Sequence, residues 1–101
     1  MTNEFVKNDT GKVRFSLVPA EARLEVAKVF TYGAKKYPPH NYRKGTEWSR
    51  YVDALQRHMN DFELGQDVDE ESGLLTLAHV AANAMILLTL QKLAAGTDDR
   101  P

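Results

Sequence analysis

Residues 74–95 constrain this chain more than any other stretch. Leu74, Leu75, Leu77, Val80, Met85, Ile86, Leu87, Leu88, Leu90 and Leu93, with six alanines between Leu74 and Gly96, are spread around nearly the whole circumference of a helix. A helix that is apolar all round has to be covered all round. Thr76, His79, Asn83, Thr89, Gln91 and Lys92 interrupt the run, so it does not read as a membrane span. A chain of 101 residues is one domain, and two further helices of ordinary length cannot cover such a rod. The expectation is a homo-oligomer, most simply a dimer, with this third helix at its centre.

The rest of the chain supplies the other two helices. Pro19 suits a first helical position, and Leu24, Val26, Ala27, Val29 and Phe30 give a helix with a core face that should stop at Gly33. Pro38-Pro39 forbids a helix through the loop that follows, up to Gly45. Trp48, Tyr51, Val52, Leu55, Met59 and Phe62 share one face of a second helix, capped by Thr46 or Ser49 and ending at Gly65. Ser72 can cap the third helix, which runs to Gly96. Val13–Val18 alternates apolar and polar residues and reads as a short extended segment without a partner strand. The fold class is therefore all-α: a flexible segment 1–12, a single helical domain 13–96, and a frayed tail 97–101.

Charge and composition narrow the function classes. The absence of cysteine removes disulfides, thiolate zinc sites and a cysteine nucleophile. No basic-then-apolar leader opens the sequence, which predicts a cytoplasmic protein. The formal charge of −1 argues against general nucleic-acid binding. That small total hides segregation. Residues 33–58 carry Lys35, Lys36, Arg43, Lys44, Arg50 and Arg57 against Glu47 and Asp53, whereas 61–71 carry six carboxylates and no cation. Such blocks are two solvated loops or an anion site facing a cation site.

Three constellations could carry chemistry. Thr76, His79 and Asn83 form a polar stripe on the apolar third helix, readable as a satisfied core histidine or as one side of a ligand pocket. On the second helix Asp53, Arg57 and Asp61 follow at steps of four; His58 and Asp61 could share a metal, or the ladder could be exposed ion pairs. In the loop and the start of the second helix, Lys35, Lys36, Arg43, Lys44, Arg50 and Arg57 are interleaved with Tyr32, Tyr37, Tyr42, Trp48 and Tyr51. Cations neutralise phosphate and aromatic rings stack on bases, so this mixture suits a nucleotide, the alternative being aromatics that pin a surface loop. The phosphate loop G-x-x-x-x-G-K-[ST], G-x-G-x-x-G and H-E-x-x-H do not occur, and no helix carries a tight glutamate cluster.

The runs Gly33-Ala34-Lys35-Lys36-Tyr37 and Asn41-Tyr42-Arg43-Lys44-Gly45 add a further clue. Arg57-His58, Gly65, Asp69, Glu71-Ser72-Gly73, His79 and Asn83 follow them. Together these resemble a phage-associated family, the N-terminal domain of dATP/dGTP diphosphohydrolase, over roughly residues 9–93. The resemblance implies that diphosphohydrolase chemistry sits in a separate MazG-like domain with clustered glutamates, which these residues lack. Thr76 stands where the family pattern often has a second histidine. The resemblance therefore implies purine-nucleotide binding more than turnover.

The leading expectation is a phage-type purine-nucleotide-binding protein acting in the host cytoplasm without a cofactor. It would sequester a nucleotide signal of a bacterial defence system uncut. Lys35, Lys36, Arg43, Lys44 and Arg57 would hold phosphates, and Tyr37, Tyr42 or Trp48 would stack on the base. His58, Glu71, Ser72, His79 and Asn83 would line the pocket. The alternative is a dATP/dGTP diphosphohydrolase using Mg or Mn on His58, Asp61, Glu71 and His79, releasing pyrophosphate. A third reading is a structural module that binds a partner protein and no small molecule.

Overall fold

The structure, a computed structural model, describes residues 4–101. It consists of three helices, α1 (Ala20–Lys36), α2 (Trp48–Glu63) and α3 (Thr76–Leu93), with short 3-10 turns at Phe15–Leu17 and Asn41–Lys44. Helix α3 packs extensively on α2 and more lightly on α1. The all-α expectation holds, and among the described residues there is no strand beyond two isolated bridges, Glu47 with Thr97 and Val68 with Leu75.

Four local expectations are corrected. Helix α1 does not stop at Gly33 but continues to Lys36. Tyr37 then turns extended, at φ −132° and ψ 158°, because it precedes Pro38. The stop signal is the proline, and the extra turn puts Lys35 and Lys36 on a helix rather than in the loop. Within residues 13–18 the extended segment gives way to a 3-10 turn at Phe15–Leu17, closed by Leu17 N–H to Arg14 O (3.1 Å) and Val18 N–H to Phe15 O (3.0 Å). With no strand alongside, a local turn is how these backbone groups find partners. Ser72 does not cap α3, which begins four residues later. Neither Thr46 nor Ser49 caps α2, whose first turn is instead capped by Asp99: its carboxylate accepts the backbone N–H (2.9 Å) and hydroxyl of Ser49.

That contact belongs to a tail that is tied down. Thr97 N–H donates to Thr46 O (3.1 Å) and Trp48 N–H to Thr97 O (3.0 Å). Trp48 Nε1–H donates to Ala95 O at 2.9 Å, and the Arg100 guanidinium lies 5.3 Å from the Trp48 ring. The close pass needs glycine twice. Gly45 and Gly96 both have positive φ (+83° and +73°), and a Cβ on Gly45 would come within 2.6 Å of Gly96 N.

The core is small. Among the described residues the buried apolar side chains are Val26, Ala78, Ala82 and Leu90, joined by Thr76 and His79. Leu77, Met85 and Leu88 of α3 remain 43%, 50% and 63% exposed, so α1 and α2 leave one side of that helix bare.

Candidate functional site

The polar residues of the chain meet where the C-terminal half of α1, the middle of α2 and the first turn of α3 approach one another. The acidic turn 67–73 closes this region. In that turn Asp69 N–H donates to Leu74 O (2.8 Å) and Gly73 N–H to Asp69 O (2.8 Å), with Gly73 at φ +73°. The Asp69 carboxylate faces inward and accepts both the backbone N–H (2.9 Å) and the hydroxyl (2.8 Å) of Ser72.

Two imidazoles stand over this turn. His58 from α2 and His79 from α3 are stacked, ring centroids 4.6 Å apart and planes 17° from parallel. His79 Nε2 lies 2.7 Å from Ser72 Oγ and 3.6 Å from Asp69 Oδ2. Burial pushes the Asp69 carboxyl up, but the two Ser72 bonds and the neighbouring imidazoles outweigh it, holding the group below its ordinary value. An ionised Asp69 can only accept, so the Ser72 hydroxyl proton goes to it and His79 Nε2–H donates to Ser72 Oγ. Ser72 Oγ also accepts Leu74 N–H at 3.2 Å. With its proton and lone pairs committed, Ser72 is a linker between Asp69 and His79, not a nucleophile. Burial, then the neighbouring His58, lowers the His79 pKa. His58 Nδ1 is buried 3.9 Å from Asp69 Oδ1, too far for a hydrogen bond, and has no hydrogen-bond partner.

Glu71 closes the site toward α1. Its carboxylate accepts from Lys36 Nζ at 2.7 Å and Tyr32 Oη at 3.1 Å. The Lys36 bond, then that of Tyr32, holds Glu71 below its ordinary range, and the same bond raises Lys36. Burial followed by the Glu71 bond raises Tyr32. Tyr32 also meets the His79 ring edge-on at 6.5 Å. Lys36 Nζ lies 5.5 Å from the Tyr32 ring and 5.9 Å from the Tyr37 ring, joining the histidine cluster to the aromatic loop. Beyond it, Tyr42 packs edge-on against Phe30 at 5.8 Å, with the Arg43 guanidinium 5.9 Å from its ring.

The expected site residues thus fall into groups. His58, Glu71, Ser72, His79 and Lys36 come together, and Tyr37 adjoins them through Lys36. Lys35, Arg43, Lys44 and Arg57 are exposed. Asn83 is half-buried and uses its amide Nδ2–H on His79 O, 2.9 Å away in its own helix. Trp48 is not part of the cluster: ten residues before His58 on α2, it sits about 15 Å along the helix and serves the tail. Of the four residues that the hydrolase alternative assigns to a metal, His58, Glu71 and His79 lie in the cluster, and among the described residues no hydrogen bond or ion pair joins the Asp61 side chain to it. Glu71 is committed to Lys36 and Tyr32, and among the described residues no three His, Asp or Glu side chains are grouped as a metal ion needs.

Two residues of the cluster, Asp69 and Tyr32, are absent from the expected pocket set. Asp69 was marked by its spacing, since Asp-x-x-Ser before Gly73 is a turn in which the carboxylate takes the serine's N–H. Tyr32 was marked by lying one turn before Lys36, on the same face of α1.

Comparison with known proteins shows the family of the chain. Over residues 2–100 the chain matches the family described as dATP/dGTP diphosphohydrolase, N-terminal. A protein of Salmonella phage PMBT28 named dATP/dGTP diphosphohydrolase is 36% identical over 95 residues, covering 94% of this chain and 32% of that protein. The chain thus spans about a third of the length of that relative. No solved structure matches it.

Proposed function

Because the chain belongs to the family of dATP/dGTP diphosphohydrolase N-terminal domains, we propose that it binds a purine nucleotide at the His58–His79 cluster and returns it uncut. The observation that carries the reading is the position of Lys36, hydrogen-bonded to Glu71 on one side and lying over Tyr37 on the other. A phosphate arriving there competes with Glu71 for Lys36 and is met by Lys35, Arg43, Lys44 and Arg57. Tyr37, 57% exposed, offers a free ring for stacking on the base.

Binding without cleavage is favoured by how the carboxylates are used. Within the cluster Asp69 is occupied by Ser72 and Glu71 by Lys36 and Tyr32, so a Mg or Mn ion bound there would have to displace these partners. In a phage protein, such a binder would lower the free concentration of a nucleotide signal in the host cell. Among the described residues no helix is long and apolar enough to cross a membrane.

The name of the phage relative favours a second reading, hydrolysis of dATP or dGTP to the monophosphate and pyrophosphate. One experiment separates the two. The protein is incubated with a nucleotide panel that includes cyclic and ADP-ribose-derived compounds, with and without Mg or Mn, then denatured, and the released nucleotides are identified. Intact nucleotide at stoichiometric yield is the expected result. Conversion of dATP or dGTP to monophosphate would establish the hydrolase. A ligand present at 100 times its Kd stabilises the fold by about 2.7 kcal/mol, so the absence of any thermal shift across the panel would overturn both.

A further inference from the structure

We propose that two copies of this chain pair through α3 in an antiparallel, two-fold symmetric dimer whose axis crosses the helix between Ala82 and Asn83. The bare side of α3 carries Leu77, Ala81, Ala84 and Leu88, at steps of four, three and four residues. This is the spacing of a helix–helix seam, so the occupant it fits is another helix. Leu77, Ala84 and Leu88 are exposed and Ala81 half-exposed.

The order of these residues identifies that helix as a second α3. Read in either direction the seam is Leu, Ala, Ala, Leu. A two-fold axis at its midpoint therefore sets Leu77 against Leu88 of the other copy and Ala81 against Ala84. The same axis relates Val80 to Met85, both at least partly exposed. Alanines at the centre allow close approach and leucines at the ends close the contact, as an isologous interface requires of a self-complementary surface. Charge agrees: Lys92, the only lysine or arginine in α3, comes level with the acidic turn before the other copy's α3.

Surface area points the same way. The chain exposes 8098 Å², whereas a compact monomer of 11.4 kDa exposes roughly 5,800 Å². Part of the surplus is the arm before α1, where Phe5, Val6, Val13, Phe15 and Leu17 are each at least 69% exposed. The bare side of α3 adds to it, Leu77, Met85 and Leu88 being 43%, 50% and 63% exposed.

The test is the mass of the full chain in solution, with variants that read the register. By light scattering after size exclusion, the wild type should have twice the monomer mass of 11.4 kDa. Leu77→Glu and Leu88→Lys should each give folded monomers, as judged by circular dichroism, and the double variant should regain the dimer because the new charges face each other. Cysteine substitutions provide a check that leaves the seam apolar, in a chain with no cysteine of its own. Ala81→Cys combined with Ala84→Cys should give a disulfide-linked dimer on oxidation, and Ala81→Cys alone should not. A monomeric wild type, a dimer indifferent to both charge variants, or cross-linking by Ala81→Cys alone would overturn the proposal. A monomer that shifts only when a further protein is added would show that the face belongs to another partner.

Discussion

The rings of His58 and His79 lie face to face, 4.6 Å apart, although one is anchored on α2 and the other on α3. Stacked imidazoles tolerate one proton better than two. Both share the Asp69 carboxylate, at 3.9 Å from His58 Nδ1 and 3.6 Å from His79 Nε2. Asp69 and Ser72 therefore orient the His79 ring against that of His58.

Acidification should weaken the fold in the range where histidine titrates. Burial and the neighbouring His58 lower the His79 pKa relative to the unfolded chain, so the unfolded state binds more protons. The associated stability is present above the ordinary histidine value of about 6.5 and is lost as pH falls below it. Thermal melts should show a lower Tm at pH 5.5 than at pH 7.5, with a smaller difference in His79→Gln. Asp69 is also lowered, but its contribution is lost only at more acidic pH.

Replacing Asp69 by Asn should cost about 1–3 kcal/mol, because a neutral amide oxygen accepts the Ser72 N–H and O–H more weakly than the ionised carboxylate does. Urea unfolding measures this directly. Ser72→Ala should resemble it in stability and also release the His79 ring, visible as a changed imidazole NMR shift.

Lys36 and Glu71 should have opposite effects on ligand binding. The pair is exposed, so neither Lys36→Ala nor Glu71→Gln should move the Tm appreciably. Lys36→Ala should weaken nucleotide binding on the order of tenfold, whereas Glu71→Gln should strengthen it by freeing Lys36. Calorimetric titration with the nucleotide retained by the wild type provides the check. A Glu71→Gln variant that loses turnover would instead support the hydrolase.

Trp48→Phe should destabilise the protein by about 1 kcal/mol through the lost bond to Ala95 O, while leaving nucleotide affinity unchanged. Unchanged stability with weakened binding would place Trp48 in the site after all. Chemical denaturation and titration of the same sample distinguish these outcomes.

Gly96→Ala should be among the most damaging small substitutions, at about 1–3 kcal/mol, since Gly96 has φ +73° and a Cβ there would collide with the Thr46 carbonyl. Gly33→Ala, inside α1 with open space around it, should be stabilising. Both are read from thermal or urea melts.

The sequence by itself determined the features that depend on neighbours in the chain. The periodic apolar faces, the break at Pro38-Pro39 and the all-apolar circumference of residues 74–95 are local patterns, and they specify three helices and a bare face on the third. The motif string around Arg57-His58, Glu71-Ser72-Gly73 and His79 is also local, and it carried the family resemblance. Tertiary structure alone decided which of these polar residues meet. Lys36 and Glu71 are 35 residues apart, and Trp48 and Ala95 are 47 apart. Both contacts depend on the packing of α1 and α2 on α3, which periodicity does not encode. That packing set Trp48 against the tail, brought Asp69 between the two histidines, and gave Glu71 a lysine partner.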